Sequence, residues 1–139
     1  MKIYVASSWR NQIQPALVTK LRAAGFEVYD FKDALGFRWK DLDPNWRSWT
    51  TAEFKEAINQ PAAIRGYAAD MHALLACDAC VLVRPCGESA NFELGVACGL
   101  NKPTAILMPD GCEPELMHKR ADFITSDLDQ IVSFLQTRR

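Results

Sequence analysis

Residues 79–99 read ACVLVRPCGESANFELGVACG, and this stretch decides the fold class. Its first part, Ala79 to Arg84, is an almost continuous apolar run, which is typical of a parallel strand covered on both faces. Its second part predicts a helix from Ala90 to about Gly99, with Ser89 as the capping residue. A buried strand that leads directly into a helix is the unit from which α/β folds with parallel sheets are built.

The rest of the chain repeats this alternation. Four more strands are predicted from short β-branched or aromatic runs: Lys2 to Ala6, Phe26 to Phe31, Pro103 to Met108 and Phe123 to Thr125. Three further helices are predicted: one with Pro15 in its first turn that ends at Gly25, one from Pro61 to about Ala76, and a last one capped by Ser126 and Asp127. We therefore predict an α/β protein with an open, mostly parallel five-stranded sheet and helices on both faces, of the flavodoxin-like or Rossmann-like kind.

The middle of the chain is less regular. Residues 32–50 show no periodicity and contain Trp39, Trp46 and Trp49, which predicts a long functional or interfacial loop. These tryptophans would either stack on a base or pack a core or dimer interface, and packing is favoured. Thr50 to Glu53 has the pattern of a capping box, which predicts a short helix. In the helix that begins at Pro61, apolar residues recur every three or four positions and predict one apolar face. They are Ile64, Ala68, Met71 and Leu75.

Length and charge limit the class of protein. The chain has 139 residues, which predicts a single domain over 1–139. Its 16 basic and 17 acidic side chains give a net charge of −1 and are scattered, which argues against a nucleic-acid polymer or an anionic membrane as the main partner. No window approaches the ~18 apolar residues of a membrane span, and the first residues do not resemble a signal peptide, so we expect a cytoplasmic protein.

The five cysteines lie in apolar stretches, which predicts buried thiols in a reducing compartment. Cys77 and Cys80 have the spacing of a zinc or redox pair, with His72 upstream. Because no second pair accompanies them, buried thiols are the favoured interpretation and no metal site is expected.

Polar residues follow the first and third predicted strands, whose carboxyl ends meet at the ligand crevice of such a sheet. Ser7, Ser8 and Arg10 follow the first strand, where Arg10 would bind an anion or remain solvated. Gly87 and its neighbours follow the third, where the free amides of a helix N-terminus favour an anion.

Two acidic residues are candidates for chemistry. Glu93 lies one turn inside the helix, whose positive end would favour its ionised form, as a nucleophile requires. The alternative is that Glu93 only pairs with the helix terminus. Asp70, in the helix before the third strand, would be either a second carboxylate of the crevice or an ordinary surface aspartate.

Taken together, several segments resemble the nucleoside 2-deoxyribosyltransferase family, including its deoxynucleotide N-hydrolase relatives. The segments are KIYVASS at 2–8, Asp70, CDACVLV at 77–83, ESANFELGVA at 88–97 and NKP at 101–103. The resemblance covers nearly the whole chain outside the tryptophan-containing segment. It implies the fold of that family, cleavage or exchange of the N-glycosidic bond of a nucleoside or nucleotide, and homo-oligomers with shared active sites. The implied chemistry needs neither a metal nor an organic cofactor.

The resemblance also implies residue roles. Glu93 would attack the anomeric carbon and form a covalent glycosyl-enzyme, Asp70 would position the substrate and assist proton delivery to the base, and Tyr4 would supply a hydroxyl beside the nucleophile. Ser89 and Arg10 would contact a 5′-phosphate, and the two serines after the first strand would line the floor of the site. The full set expected to bind substrate is Ser7, Ser8, Arg10, Gly87, Ser89 and Asn91.

Several alternatives remain open at this stage. Water or a second base as acceptor would make the protein a hydrolase or a transferase. Residues 112–121 lack the serine that completes the phosphate site in phosphate-specific relatives, although His118, Lys119 or Arg120 would substitute. A non-catalytic nucleotide-binding module and an NAD glycohydrolase are the other hypotheses.

Overall fold

The computed structural model describes residues 1–33 and 36–139. Its five strands are β1 Lys2–Ala6, β2 Glu27–Asp30, β3 Ala79–Val83, β4 Thr104–Leu107 and β5 Phe123–Thr125. They form one sheet in the order β2-β1-β3-β4-β5, and every neighbouring pair is parallel. The predicted α/β fold is confirmed, with a sheet that is parallel throughout. The strand order reverses between β1 and β3, which is where α/β proteins place ligands.

The helices are α1 Gln14–Ala23, α2 Trp39–Leu42, α3 Thr51–Ala57, α4 Pro61–Ala76, α5 Glu88–Gly99 and α6 Leu128–Gln136, with short 3-10 helices at Trp46–Ser48 and Leu116–Arg120. The capping box is present, because the Thr50 side chain accepts from the Glu53 amide and the Glu53 carboxylate accepts from the Thr50 amide. Gly25, with φ of 81°, follows the end of α1 in the left-handed conformation that glycine adopts most readily. None of the helices in the described ranges has the length and apolar character to cross a bilayer.

The core has two layers, one on each face of the sheet. On one face Ile3, Val81 and Leu107 pack with buried residues of α1 and α6. On the other face Leu82 and Ile106 pack with buried residues of α4 and α5. Because side chains alternate along a strand, this second face also receives the side chain of Tyr4 from β1.

Three local predictions are wrong. The cap of α5 is Gly87 rather than Ser89, which lies in the first turn, is exposed and makes no capping hydrogen bond. Residues 32–50 are not one loop, since α2 and a 3-10 helix form within them. The buried residues of α4 are Ala63, Gly66 and Leu74, whereas Ile64 and Leu75 of the predicted apolar face are largely exposed.

The contact between Phe37 and Gly66 explains the change of face on α4. A Cβ atom at position 66 would lie 2.6 Å from the Phe37 Cβ, which is too close for two carbon atoms. Only glycine lets this loop lie directly against α4, so the first half of the helix is packed through the small residues Ala63 and Gly66. Of the apolar face predicted from periodicity, Ile64 and Leu75 are largely exposed, whereas Met71 packs against the core.

Gly66→Ala is expected to displace the segment around Phe37 and to destabilise the protein by about 1–3 kcal/mol, the usual cost of overpacking. Gly95→Ala is the matched control, because a Cβ there meets no atom within 4 Å and alanine favours the helix. Thermal unfolding and tryptophan fluorescence would measure the two effects. Equal unfolding temperatures for the two variants would contradict the role of the Phe37–Gly66 contact.

Candidate active site

Four side chains from four different elements meet on the face of the sheet that α4 and α5 cover. They are Tyr4 of β1, Tyr29 of β2, Asp70 of α4 and Glu93 of α5. Tyr4 and Tyr29 are paired in register, and their rings stack at a centroid distance of 5.2 Å. The Tyr29 hydroxyl donates a hydrogen bond of 2.8 Å to Asp70 Oδ1. The structure therefore brings together all three residues that were predicted to be catalytic, beside the switch point of the sheet.

The carboxyl group of Glu93 loses its proton less readily than an ordinary glutamate. Burial, followed by the charge of Asp70, raises its pKa to about 7, and hydrogen bonding by Tyr4 offsets only part of the rise. The expectation that the helix end would favour the carboxylate is wrong. Glu93 is the sixth residue of α5, and the influence of the helix dipole is lost beyond the first turn. Desolvation decides the result instead.

The neighbouring groups have shifted pKa values as well. Burial raises the pKa of Asp70, while the hydrogen bond from Tyr29 acts in the opposite direction. Burial, and then the charges of Glu93 and Asp70, raise the pKa of Tyr4, so its hydroxyl remains a donor. That hydroxyl is buried and makes no well-formed hydrogen bond within the described part of the chain, although it lies close enough to Glu93 to affect its pKa.

The residues predicted to bind substrate are divided between two places. The Ser7 hydroxyl donates to the Val83 carbonyl at 2.9 Å and so joins the ends of β1 and β3. Ser8 is partly buried, and Arg10 is exposed on the same loop. Gly87 and Ser89 are exposed at the start of α5, as anion binding by the free amides requires.

Asn91 is the predicted residue that the structure separates from the two carboxylates. It lies two positions from Glu93 on α5, a rotation of roughly 200° that places it on the opposite side of the helix. Its amide donates to the Gly87 carbonyl at 3.2 Å, and its Oδ1 lies 2.8 Å from His118 Nε2. Asn91 thus connects the start of α5 to the 3-10 helix at Leu116–Arg120.

The tryptophan-containing segment is packed chiefly against itself. Trp39 makes edge contacts with Phe37, Trp49 and Phe54 at centroid distances of 4.7, 5.6 and 5.8 Å. The indole of Trp49 donates to Asp43 Oδ2 at 2.7 Å. These contacts favour packing over base stacking for Trp39 and Trp49.

Residues 1–33 and 36–139 contain no group of three or more His, Cys, Asp or Glu side chains that could hold a metal ion. Cys77 and Cys80 are buried free thiols, and the Cys77 thiol donates to the Leu74 carbonyl.

Tyr29 is the member of the cluster that sequence reasoning missed. Its strand was predicted, but only the first and third strands were expected to supply the site. The available signal was its place in a strand beside β1, because neighbouring parallel strands direct paired residues to the same face.

No protein-family model matches the sequence, and no curated protein matches it either. Solved structures do match. A 2-deoxyribosyltransferase from Bacillus psychrosaccharolyticus is 20% identical with a TM-score of 0.65, over 95% of this chain and 90% of that one. A conserved protein from Enterococcus faecalis V583 is 16% identical with a TM-score of 0.68, over 100% and 99% of the two chains.

A CMP N-glycosidase from Clostridium botulinum is 13% identical with a TM-score of 0.54, over the full length of both chains. Structural matches at such low sequence identity establish a common fold and nothing more. The resemblance to the deoxyribosyltransferase family is confirmed at that level, and the chain has the fold of a 2-deoxyribosyltransferase and of a CMP N-glycosidase.

Proposed function

We propose that this protein is a glycosyl-transfer enzyme that breaks the N-glycosidic bond of a nucleoside or nucleotide, with Glu93 as its nucleophile. The observation that carries the proposal is the half-buried pair of carboxyl groups, Glu93 and Asp70, from two helices that face each other at the switch point of the sheet. A surface aspartate and a helix-capping glutamate would not need to share one desolvated site. Strongly shifted pKa values in a crevice are a mark of functional residues.

The proposed reaction has two displacements. In the first, an oxygen of the ionised Glu93 bonds to the anomeric carbon while the bond from that carbon to the base nitrogen breaks, and the base takes the electron pair and a proton. In the second, water or another base displaces Glu93, so the configuration of the sugar is retained. The carboxylates also stabilise the positive charge that develops on the sugar between these states.

Two other residues of the cluster have a role in this scheme. The Tyr4 hydroxyl would donate to Glu93 when substrate is bound, and Asp70 would position the substrate and assist protonation of the departing base. Ser7, Ser8, Arg10, Gly87 and Ser89 would contact the substrate at the ends of β1 and β3. The proposed steps require only protein side chains.

The comparisons support the substrate class. One structural neighbour is a 2-deoxyribosyltransferase described as a biocatalyst for nucleoside synthesis, and another is a CMP N-glycosidase. Both names describe chemistry at the bond between a sugar and a base, so we infer a nucleoside or nucleotide as the substrate here.

The deciding experiment is chromatography of purified protein incubated with nucleosides, nucleoside 5′-monophosphates and NAD, each with and without an acceptor base. Free base without an acceptor would identify a hydrolase, and a new nucleoside only with an acceptor would identify a transferase. Nicotinamide release from NAD alone would favour the NAD glycohydrolase. Tight binding by calorimetry without any turnover would replace the proposal with the binding module.

We also propose that the enzyme self-associates through α4 and α5, with active sites near the interface. Tyr67 and Phe92 are 68% and 73% exposed, and Ile64 and Leu75 extend the apolar surface along α4. Soluble monomers rarely expose contiguous apolar surface of this kind.

Tyr67→Glu is expected to shift the protein to monomers in sedimentation velocity, because the interface would bury its charge without a partner. Ser133→Glu is the control and should leave the assembly unchanged, because Ser133 is exposed on α6, which packs on the opposite face of the sheet. A wild-type protein that sediments as a monomer would refute the proposal.

We propose one domain over 1–139 and a reducing, cytoplasmic location, since all five cysteines are free and three of them are buried.

A further inference from the structure

Tyr29 is held rigidly beside the two carboxyl groups. It lies on β2, where its backbone pairs in register with Tyr4, and its ring stacks on the Tyr4 ring at an interplanar angle of 16°. Sheet pairing fixes the backbone and ring stacking fixes the side chain. The Tyr29 hydroxyl therefore reaches one point above the sheet with little freedom to move.

That point is one oxygen of Asp70. The hydrogen bond to Oδ1 measures 2.8 Å and joins residues 41 positions apart in the sequence. It is the only hydrogen bond that the Asp70 side chain makes in the described part of the chain. A carboxylate has two oxygens with about four acceptor positions, so this bond sets the rotation of the group and leaves Oδ2 available.

We infer that Tyr29 is a positioning residue of this active site, which fixes Asp70 through Oδ1 so that Oδ2 meets the substrate. The inference rests on the proposed function and deepens it, because it gives the two oxygens of Asp70 separate tasks. Oδ2 would bind the donor group of the nucleoside or carry the proton to the departing base. Without Tyr29 the carboxyl group would rotate, and neither oxygen would be held for that step.

The same contact controls the charge of the site. Asp70 faces Glu93 from α5, Tyr4 from β1 and Tyr29 from β2. Hydrogen bonding by Tyr29 lowers the pKa of Asp70 against the effect of burial. Burial is the larger of the two effects, so the pKa of Asp70 stays raised, and Tyr29 limits how far it rises.

The test is a double-mutant cycle of Tyr29→Phe and Asp70→Ala, measured as kcat and KM for base release. Tyr29→Phe alone is expected to lower kcat roughly 10- to 100-fold, the usual effect of a hydrogen bond to a charged group, with little change in KM. In the Asp70→Ala background it should lower kcat no further, because the oxygen that accepts its hydrogen bond is gone. Ser133→Ala, which removes an exposed hydroxyl from α6 on the opposite face of the sheet, is the control and should keep the wild-type kcat.

An equal loss of kcat in both backgrounds would overturn the inference, since Tyr29 would then act without Asp70. A second measurement does not need activity: NMR titration of the labelled Asp70 carboxyl should show a higher pKa in Tyr29→Phe than in the wild type. An unchanged pKa would also overturn the inference. If the wild type releases no base from any substrate, the proposed function fails while this titration still decides whether Tyr29 controls Asp70.

Discussion

Glu93→Gln is expected to reduce the rate of base release by a factor on the order of 10³ or more, since it removes the proposed nucleophile. Glutamine has nearly the same shape and volume as glutamate, so the crevice should keep its form. Its amide is too weak a nucleophile to bond to the anomeric carbon. Substrate binding, measured by calorimetry, should therefore survive in the variant while turnover is lost.

The control for this prediction is Glu88→Gln, which removes an exposed carboxylate from the first turn of the same helix. It should leave the rate close to that of the wild type. Mass spectrometry after rapid quenching should detect a sugar adduct on Glu93 in the wild type and none in Glu93→Gln. Turnover at the wild-type rate by Glu93→Gln would exclude this residue as the nucleophile.

Glu93→Gln is also expected to make the protein more stable at alkaline pH. The pKa of Glu93 is about 7 in the folded protein, against an ordinary value of 4.5. The folded state therefore binds its proton more tightly than the unfolded state does. The stability that this group contributes is complete below the unfolded value and is lost as the pH rises through the folded value.

Above pH 7 this loss amounts to at most about 3 kcal/mol, since one pKa unit corresponds to ~1.4 kcal/mol. A neutral glutamine avoids it, so the variant should unfold at higher denaturant concentration than the wild type in mildly alkaline buffer. The difference should disappear when the pH falls below 4.5, where Glu93 is protonated in both states. A difference that is independent of pH would show that buried charge is not its cause.

The sheet was predictable because its strands carry simple patterns. The apolar run at 79–84 indicates a strand buried on both faces, and alternation with helices then fixes parallel pairing. The switch-point rule placed the ends of β1 and β3 at one crevice, which directed attention to Glu93 before any distance was known. Asp70 required the resemblance to a known family, because its sequence context alone fits a surface residue equally well.

What sequence could not supply depends on tertiary packing. The apolar spacing on α4 includes the largely exposed Ile64 and Leu75, whereas Gly66 is buried. The reason for a glycine there is the approach of Phe37 from a distant segment. The ionisation of Glu93 depends on how much water the fold excludes, which no local pattern encodes. Tyr29 lies in the site because β2 pairs with β1 in a register that places Tyr29 beside Tyr4, and no sequence motif marks it.

Because the clustered side chains come from β1, β2, α4 and α5, one part of the fold contains the candidate site and another part contributes none of its residues. The half of the sheet that contains β4 and β5, together with α6, supplies none of the four clustered side chains. Substitutions there would affect the proposed reaction only through the common scaffold. That half of the molecule is therefore the natural place for inserted sequence, attached labels or surface tethering in assays of the proposed activity.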